Sequence, residues 1–449
     1  MTVTLARAPA AGEVLGGGRN AAGARRASLR VGFVLVALAA FGLYWLSALV
    51  LQARGKVNLF GTDRVLYATL VRSNVTEQIG KDYAVDRITR FHPLTTGLAV
   101  AWMKALGPLT QWMAPRQLLS GMFAAVGAIG VWAAMCAFAA VVPRRQAMLW
   151  GAVYASSLSV WYFSSIEESK IVAATLTALY IAAWLHLRKR WTPPGAGLLT
   201  AILLLACLNE IIAGFLVVLP AVDALMTRGR GLCQRVRNGR WIAVHALVVP
   251  AVLIFLEIVV NRHLVGVTTA GPGSELEGAS HFAMLVHYVT RHDFGWSTLY
   301  AFLLNWVFFS VAAPTHFTTL APPEWPAYTG YFEPTVANYL ASPVSAGVVA
   351  LFAVMAAASL VRKRGALAEP GTGLAAVLAA LLAYAVLRGA FWFAVNPFEC
   401  LLFSSPATLA HLLLIAIPFA ASRLPAKQGI LAAFALLLFV TNGTFIIGR

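Results

Sequence analysis

The sequence predicts an all-α polytopic membrane protein with about 11–12 transmembrane helices, and three observations carry that prediction. Of its 449 residues, 60% are hydrophobic and 11% charged, with a mean hydropathy of +0.76; a water-soluble domain needs more polar surface than this. Apolar runs long enough to cross a bilayer recur along the whole chain. Lys and Arg gather in short stretches beside those runs, as the positive-inside rule requires.

The elements follow in order. Residues 1–30 are rich in Ala, Gly and Arg and read as a disordered, basic cytoplasmic tail. No small-residue cleavage pattern follows the first apolar run, so Val31 to Leu51 reads as an uncleaved anchor. Residues 31–449 form a single polytopic membrane domain. After the anchor, runs are expected at His92–Leu109, Leu118–Val142, Ala147–Phe163, Ile171–Leu187, Leu198–Leu225 and Ile242–Val260. Five more follow at Leu299–Ala313, Val344–Val361, Ala375–Phe393, Leu401–Ala421 and Gly429–Ile447.

The net charge is +17, from 34 Lys and Arg against 17 Asp and Glu. In a soluble chain that excess would suggest nucleic-acid binding. Here it sits in loop clusters at Arg25-Arg26, Arg144-Arg145, Arg188-Lys189-Arg190, Arg228–Arg240 and Arg362-Lys363-Arg364, which places these loops in the cytoplasm and leaves no nucleic-acid partner. Cys136, Cys207, Cys233 and Cys400 have neither paired nor metal-like spacing.

With the amino terminus inside, residues 52–91 form the first external loop and 261–342 the later external loops. Strict alternation through every run does not reproduce that map, so at least two runs are re-entrant, broken or interfacial. The candidates are His92–Leu109, Leu118–Val142, Leu198–Leu225, which Asn209-Glu210 interrupts, and Leu299–Ala313. Broken helices belong where polar groups are sheltered inside protein.

Within the first external loop Thr62 suits a helix cap. Asp63 falls in the first turn, with Leu66 and Leu70 spaced on one apolar face. This predicts a short helix along the membrane surface, with Asp63 either a solvated cap or a base kept ionised by the helix dipole. Pro93 suits a first helical turn and leaves His92 at the water boundary, as an interfacial side chain or a phosphate contact. Ser164 to Lys170 is a polar island between apolar runs, in which Glu167 or Glu168 either forms a structural ion pair with Lys170 or serves function. Arg388, inside an apolar run, wants an anionic partner such as Glu399 or a lipid phosphate. His281, His287, His292 and Asp293 match no zinc signature.

This order of features resembles the glycosyltransferase C (GT-C) superfamily, and within it the bacterial group similar to protein mannosyltransferases and lipid A aminoarabinose transferases. The matching elements are the first span, Asp63-Arg64 with Tyr67-Ala68, His92-Pro93-Leu94, the run closing in Arg144-Arg145, the island at Ser164–Lys170, the Arg188-Lys189-Arg190 stop and the broken Leu198–Leu225 run. Family members commonly carry two adjacent acids where this chain has Asp63-Arg64, and Pro-Pro-Leu where it has His92-Pro93-Leu94. The resemblance implies a GT-C-like bundle with an external juxtamembrane helix and a sugar donor linked to polyprenyl phosphate. It implies Asp63 as base, His92 together with Lys170 or Arg388 at the carrier phosphate, and Glu167 or Glu168 near the acceptor or an ion. A divalent cation shared by Asp63 and a glutamate is compatible with it.

The chemistry agrees. A polyprenyl-phosphate sugar already has a good leaving group, so transfer needs one carboxylate for the acceptor's proton and cations for the departing phosphate. A Gly-rich phosphate loop and a Rossmann fingerprint are both missing from the sequence, which disfavours a nucleotide-sugar donor. The expected function is transfer to an extracytoplasmic glycan, lipid or protein of the cell envelope, at the plasma (inner) membrane. The alternatives are a polysaccharide polymerase or ligase, with Trp325, Tyr328 and Tyr331 stacking on sugars, a transporter, or a non-catalytic membrane scaffold.

Overall fold

The computed structural model describes residues 15–54, 68–71, 75–79, 81, 85–86, 89, 91–188, 192–226, 232–265, 295–314, 319–320, 331–332, 336–360, 373–397 and 400–447. Among these residues the architecture is all-α apart from one two-residue pair, β1 (Thr319–Leu320) antiparallel to β2 (Tyr331–Phe332). The α-helices of five or more residues are numbered in chain order, leaving the 3-10 and π segments unnumbered. They begin with α1 (Leu15–Ala53), α2 (Pro93–Leu106), α3 (Pro115–Val141), α4 (Arg144–Ser156) and α5 (Leu158–Ser164). Next come α6 (Lys170–Leu187), α7 (Pro193–Asn209), α8 (Val218–Met226), α9 (Leu232–Phe255), α10 (Trp296–Leu303) and α11 (Val336–Leu340). The bundle closes with α12 (Pro343–Leu360), α13 (Leu374–Val395), α14 (Cys400–Ala421) and α15 (Lys427–Ile447).

Local chemistry starts several of these helices. Pro93 and Pro115 occupy first turns, where the missing N–H costs nothing. The Gln117 side chain accepts from Ala114 N at 3.1 Å, and Thr192 Oγ1 accepts from Gly195 N at 3.3 Å to cap α7.

Contacts between helix ends fix the direction of each leg. At one end, Gln52 in the last turn of α1 donates to Ser120 at the start of α3 (2.6 Å), and Arg54 donates to the Ile447 carbonyl that ends α15. At the other, basic end, Gly32 of α1 lies against Met148 of α4. Here Arg188, after α6, reaches Asp223 of α8 and the Gly373 carbonyl that precedes α13. Among the described residues seven helices are long and apolar enough to cross a membrane. With the shorter legs Pro193–Asn209, Ile211–Met226 and Pro343–Ala358 and the kinked α4–α5 pair, eleven legs among the described residues run the length of the bundle.

Two apolar segments do not. Both ends of α2 sit at the end opposite the basic clusters: His92 Nδ1 lies 2.6 Å from the Asn209 carbonyl, and Trp102 Nε1 donates to Leu118 O at 2.9 Å. The α10 helix continues as a π-helix over Leu304–Phe309 and stops inside the bundle against the α4–α5 break. That break, at extended Ser157, exposes N–H groups that Val311 O and Ser310 O accept from Leu158 and Ser159 at 3.0 and 2.9 Å. Asn442 of α15 locks the junction, donating to Ser156 O and Val311 O and accepting from Ala313 N at 2.7–2.8 Å. So His92–Leu109 and Leu299–Ala313 are the interfacial and re-entrant runs. Leu198–Leu225 is broken at Glu210, whose backbone is extended. Leu118–Val142, by contrast, belongs to one unbroken helix of 27 residues. The sequence reading did not foresee the break at Ser157.

Candidate functional site

Polar residues inside the bundle concentrate at the end opposite the basic clusters, around the island between α5 and α6. All seven residues from Ser164 to Lys170 are buried, so the island is not a wet loop. Glu167 Oε1 accepts from Ser120 Oγ (2.7 Å), Gln52 Nε2 (3.0 Å) and Arg116 Nε (3.3 Å). This carboxylate ties the exit of α1 to the start of α3 and to the island. Glu168 Oε1 turns back on its own chain and accepts from Ser169 N and Oγ at 2.9 and 3.2 Å.

Lys170 opens α6 and pairs with neither glutamate of the island. Its Nζ lies 3.9 Å from Glu210 Oε1 and 4.5 Å over the Phe403 ring. Glu210 stands at the tip of the α7–α8 hairpin, where the break turns its side chain inward. Its Oε2 accepts from Arg388 Nη2 at 2.9 Å. Arg388 therefore has Glu210 as its carboxylate partner; Glu399, the partner suggested by sequence, lies outside the described residues. At 1.5 Å per residue, Arg388 sits roughly 12 Å below Asn396, the end of α13.

Three residues one helical turn apart, Tyr384, Arg388 and Trp392, form a column on α13. Its polar groups are incompletely filled: Arg388 Nε and Nη1, Trp392 Nε1, Tyr384 Oη and the facing Glu210 Oε1 are buried without a hydrogen-bond partner among the described residues. Tyr384 faces Arg388 and Thr177 closely enough for a weak polar contact with each, short of full hydrogen-bond geometry. Each such group costs about 1–3 kcal/mol if left empty, so a cluster of them is the mark of a place that water or an anionic ligand fills. Trp392 stacks on Phe403 with centroids 3.5 Å apart, and this aromatic wall continues through Phe302 and Trp306 of the α10 segment.

The structure thus brings Lys170 and Arg388 together, as neighbours of one carboxylate. It sets Glu167 apart, in the hub at α1 and α3, and His92 on the rim, bound through Nδ1 to the Asn209 backbone beside Glu210. Asp63 and the helix expected from Thr62 lie outside the described residues, as do His281, His287, His292 and Asp293. Leu70 is fully buried. Among the described residues no three His, Cys, Asp or Glu side chains come together as metal ligands. Glu210 was legible only as an interruption in an apolar run. An ionisable group inside a membrane segment is a functional candidate by default, and that was the available signal.

No protein-family model and no curated protein matches this chain in sequence. Its fold does match a solved structure, the Archaeoglobus fulgidus oligosaccharyltransferase in complex with zinc and sulfate. The match has a TM-score of 0.51 at 15% sequence identity and covers 93% of this chain and 53% of the other. The likeness is one of fold. The chain spans about half the length of that oligosaccharyltransferase. In this bundle the broken hairpin tip, the island and the middle of α13 converge under one end, leaving two cations and their shared carboxylate enclosed there.

Proposed function

We infer that this chain is a membrane glycosyltransferase that moves a sugar from a polyprenyl-phosphate donor to an acceptor at the extracytoplasmic face of the plasma membrane. The observation that carries the reading is the enclosed Lys170–Arg388 pair with unfilled guanidinium donors, at the end of a GT-C-type bundle opposite its basic clusters. An amino terminus inside puts that end outside.

In the reaction an acceptor hydroxyl attacks the anomeric carbon and its proton passes to the Asp63 carboxylate. The bond from the anomeric carbon to the phosphate oxygen breaks, and its electron pair leaves with the polyprenyl phosphate. The donor diester carries one negative charge and the monoester product approaches two. Lys170 and Arg388 therefore meet a group whose charge grows along the reaction, which is the condition for stabilising the transition state more than the ground state. Glu167 acts by holding the exit of α1, from which the Asp63 loop departs. The Phe403–Trp392 wall gives the lipid end of the donor an apolar lining.

The test is transfer of labelled sugar from a panel of polyprenyl-phosphate sugars in membranes bearing wild type, Asp63→Asn or Lys170→Met at matched expression. Incorporation by wild type and its loss in both variants is expected. No transfer from any donor would return weight to a transporter or scaffold, and transfer untouched by Asp63→Asn would remove Asp63 as the base.

A further inference from the structure

The two cations proposed to meet the phosphate already hold an anion. Glu210 spends one carboxylate oxygen on Arg388 Nη2 and turns the other toward Lys170. Its side chain is 7% exposed, while that of Arg388 is fully enclosed. Of the guanidinium's donor atoms only Nη2 makes a full hydrogen bond; Nε and Nη1 make none among the described residues beyond a weak contact with Tyr384, and Glu210 Oε1 has only the 3.9 Å ion pair with Lys170. A purely structural pair in so dry a place would be expected to close both arms of the fork on both oxygens, as Arg188 does with Asp223 (2.5 and 3.2 Å). The contrast lies within one molecule, between two enclosed Arg–carboxylate pairs at opposite ends of the bundle.

Resting on the lipid-phosphate reading, we propose that Glu210 is the resident counter-anion of the site, a positioning residue that competes with the lipid phosphate for Lys170 and Arg388. With the site empty, the carboxylate keeps two like charges together and aimed. With phosphate bound, Arg388 turns Nε and Nη1 to the phosphate and Glu210 loosens its hold on Lys170. The competition bears hardest on the monoester product, which carries the larger charge and would otherwise stay on the two cations. Glu210 thus sets product release.

The location suits this role. Glu210 sits on the extended residue between two helical legs, so its side chain can withdraw by local backbone adjustment at the hairpin tip without displacing a continuous helix. Lys170 already lies over the Phe403 ring while it faces Glu210, a contact that remains to it when the carboxylate moves off.

The experiment measures binding of farnesyl phosphate, with farnesol as the phosphate-free control, to purified full-length wild type, Glu210→Gln, Glu210→Asp, Lys170→Met and Arg388→Met. Glu210→Gln should bind farnesyl phosphate about tenfold tighter than wild type, with farnesol binding unchanged and the turnover rate reduced by slower release. A residue with only a structural role would weaken binding of both probes, so equal or weaker farnesyl phosphate binding overturns the proposal. Should Glu210→Gln fail to accumulate in membranes, Glu210→Asp decides: its retracted carboxylate should raise phosphate affinity two- to threefold, and no gain refutes the role. If wild type and both cation variants bind farnesyl phosphate no better than farnesol, the lipid-phosphate reading fails and takes this inference with it. If wild type prefers the phosphate and Glu210→Gln gains nothing, the counter-anion role alone is lost.

Discussion

Gly127 is where the bundle around the island is tightest, and replacing it with alanine tests the packing that holds Glu167 in place. A Cβ there would fall 2.1 Å from Ser164 Oγ, 2.8 Å from Ser164 Cβ and 3.3 Å from Tyr44 Cδ2, where carbon pairs want about 3.5–4.0 Å. Rotating the serine relieves only the first contact. It also gives up the bond from Ser164 Oγ to Val160 O at 2.6 Å, while Ser164 Cβ is fixed by the last turn of α5. The helices α3 and α5 must therefore move apart, at a cost of about 1–3 kcal/mol. Alanine is intrinsically the better helix former by ~1 kcal/mol, so controls with no clash should be neutral or stabilised. Gly42→Ala and Gly97→Ala meet nothing within 4 Å and serve as those controls. In Gly127→Ala, Ser164→Ala should restore part of the loss and Ser164→Gly most of it. Thermal unfolding in detergent reads the stability order, and sugar transfer should fall with it because Ser164 begins the island. Gly127→Ala as stable as Gly42→Ala, or no rescue by Ser164→Gly, would refute the packing argument.

Other expectations follow from the polar contacts. Arg188→Met should destabilise the bundle by about 3–5 kcal/mol, since it strips a bidentate partner from the enclosed Asp223 carboxylate; unfolding midpoints of Arg188→Met, Asp223→Asn and the double variant should be strongly non-additive. Gly373→Ala should weaken the same clamp, because Gly373 has φ +59° and a Cβ there would lie 2.7 Å from Arg188 Nη2. Lys170→Met should lower kcat by about 10²–10³, the effect of removing one charge-stabilising donor, with Lys170→Arg retaining more; equal kcat in all three would exclude Lys170 from the chemistry. Asn442→Leu loses three bonds that pin the α4–α5 break to the re-entrant segment and should cost about 3 kcal/mol at ~1 kcal/mol each, visible as a lowered unfolding midpoint.

Much of the frame was readable because lipid leaves a chain few choices: an apolar run of about twenty residues must be helical, and the cations beside it stay on one side. The runs at Leu118–Val142, Ile171–Leu187, Ala375–Phe393, Leu401–Ala421 and Gly429–Ile447 all fall in membrane-length helices. Arg388 and Lys170 stood out as charges in or beside such runs, and the structure places them around one carboxylate. That the carboxylate is Glu210 was not readable. Pairing across 178 residues depends on which legs are neighbours, and neither composition nor spacing encodes adjacency in a helical bundle. Nor did the sequence separate Glu167 from Lys170, three residues on. The turn at Ser165–Ser169 sends the first toward α1 and α3 and the second toward α7 and α13.

The failed alternation of runs has a physical cause that also explains where the site lies. Hydropathy measures whether a segment avoids water, and a helix lying in the interface or dipping halfway into the bundle avoids it as well as one that crosses. Both such segments here, α2 and the α10 segment, enter and leave at the end that holds Lys170, Glu210 and Arg388. Each is polar where it turns, and the bundle supplies partners there: Asn209 for His92 and Thr95, and Leu158, Ser159 and Asn442 for residues 310–313. Apart from the Asn442 side chain, breaks in the crossing legs at Ser157 and Glu210 supply those partners, since an uninterrupted helix has its backbone groups bonded internally. Interrupted legs and partial entries are thus two sides of one requirement. A bundle that encloses polar chemistry at one end must open its helices there and close the openings with other segments. Two of the polar residues that interrupt the apolar pattern, Ser157 and Glu210, therefore mark the end of the molecule where Lys170, Glu210 and Arg388 are held.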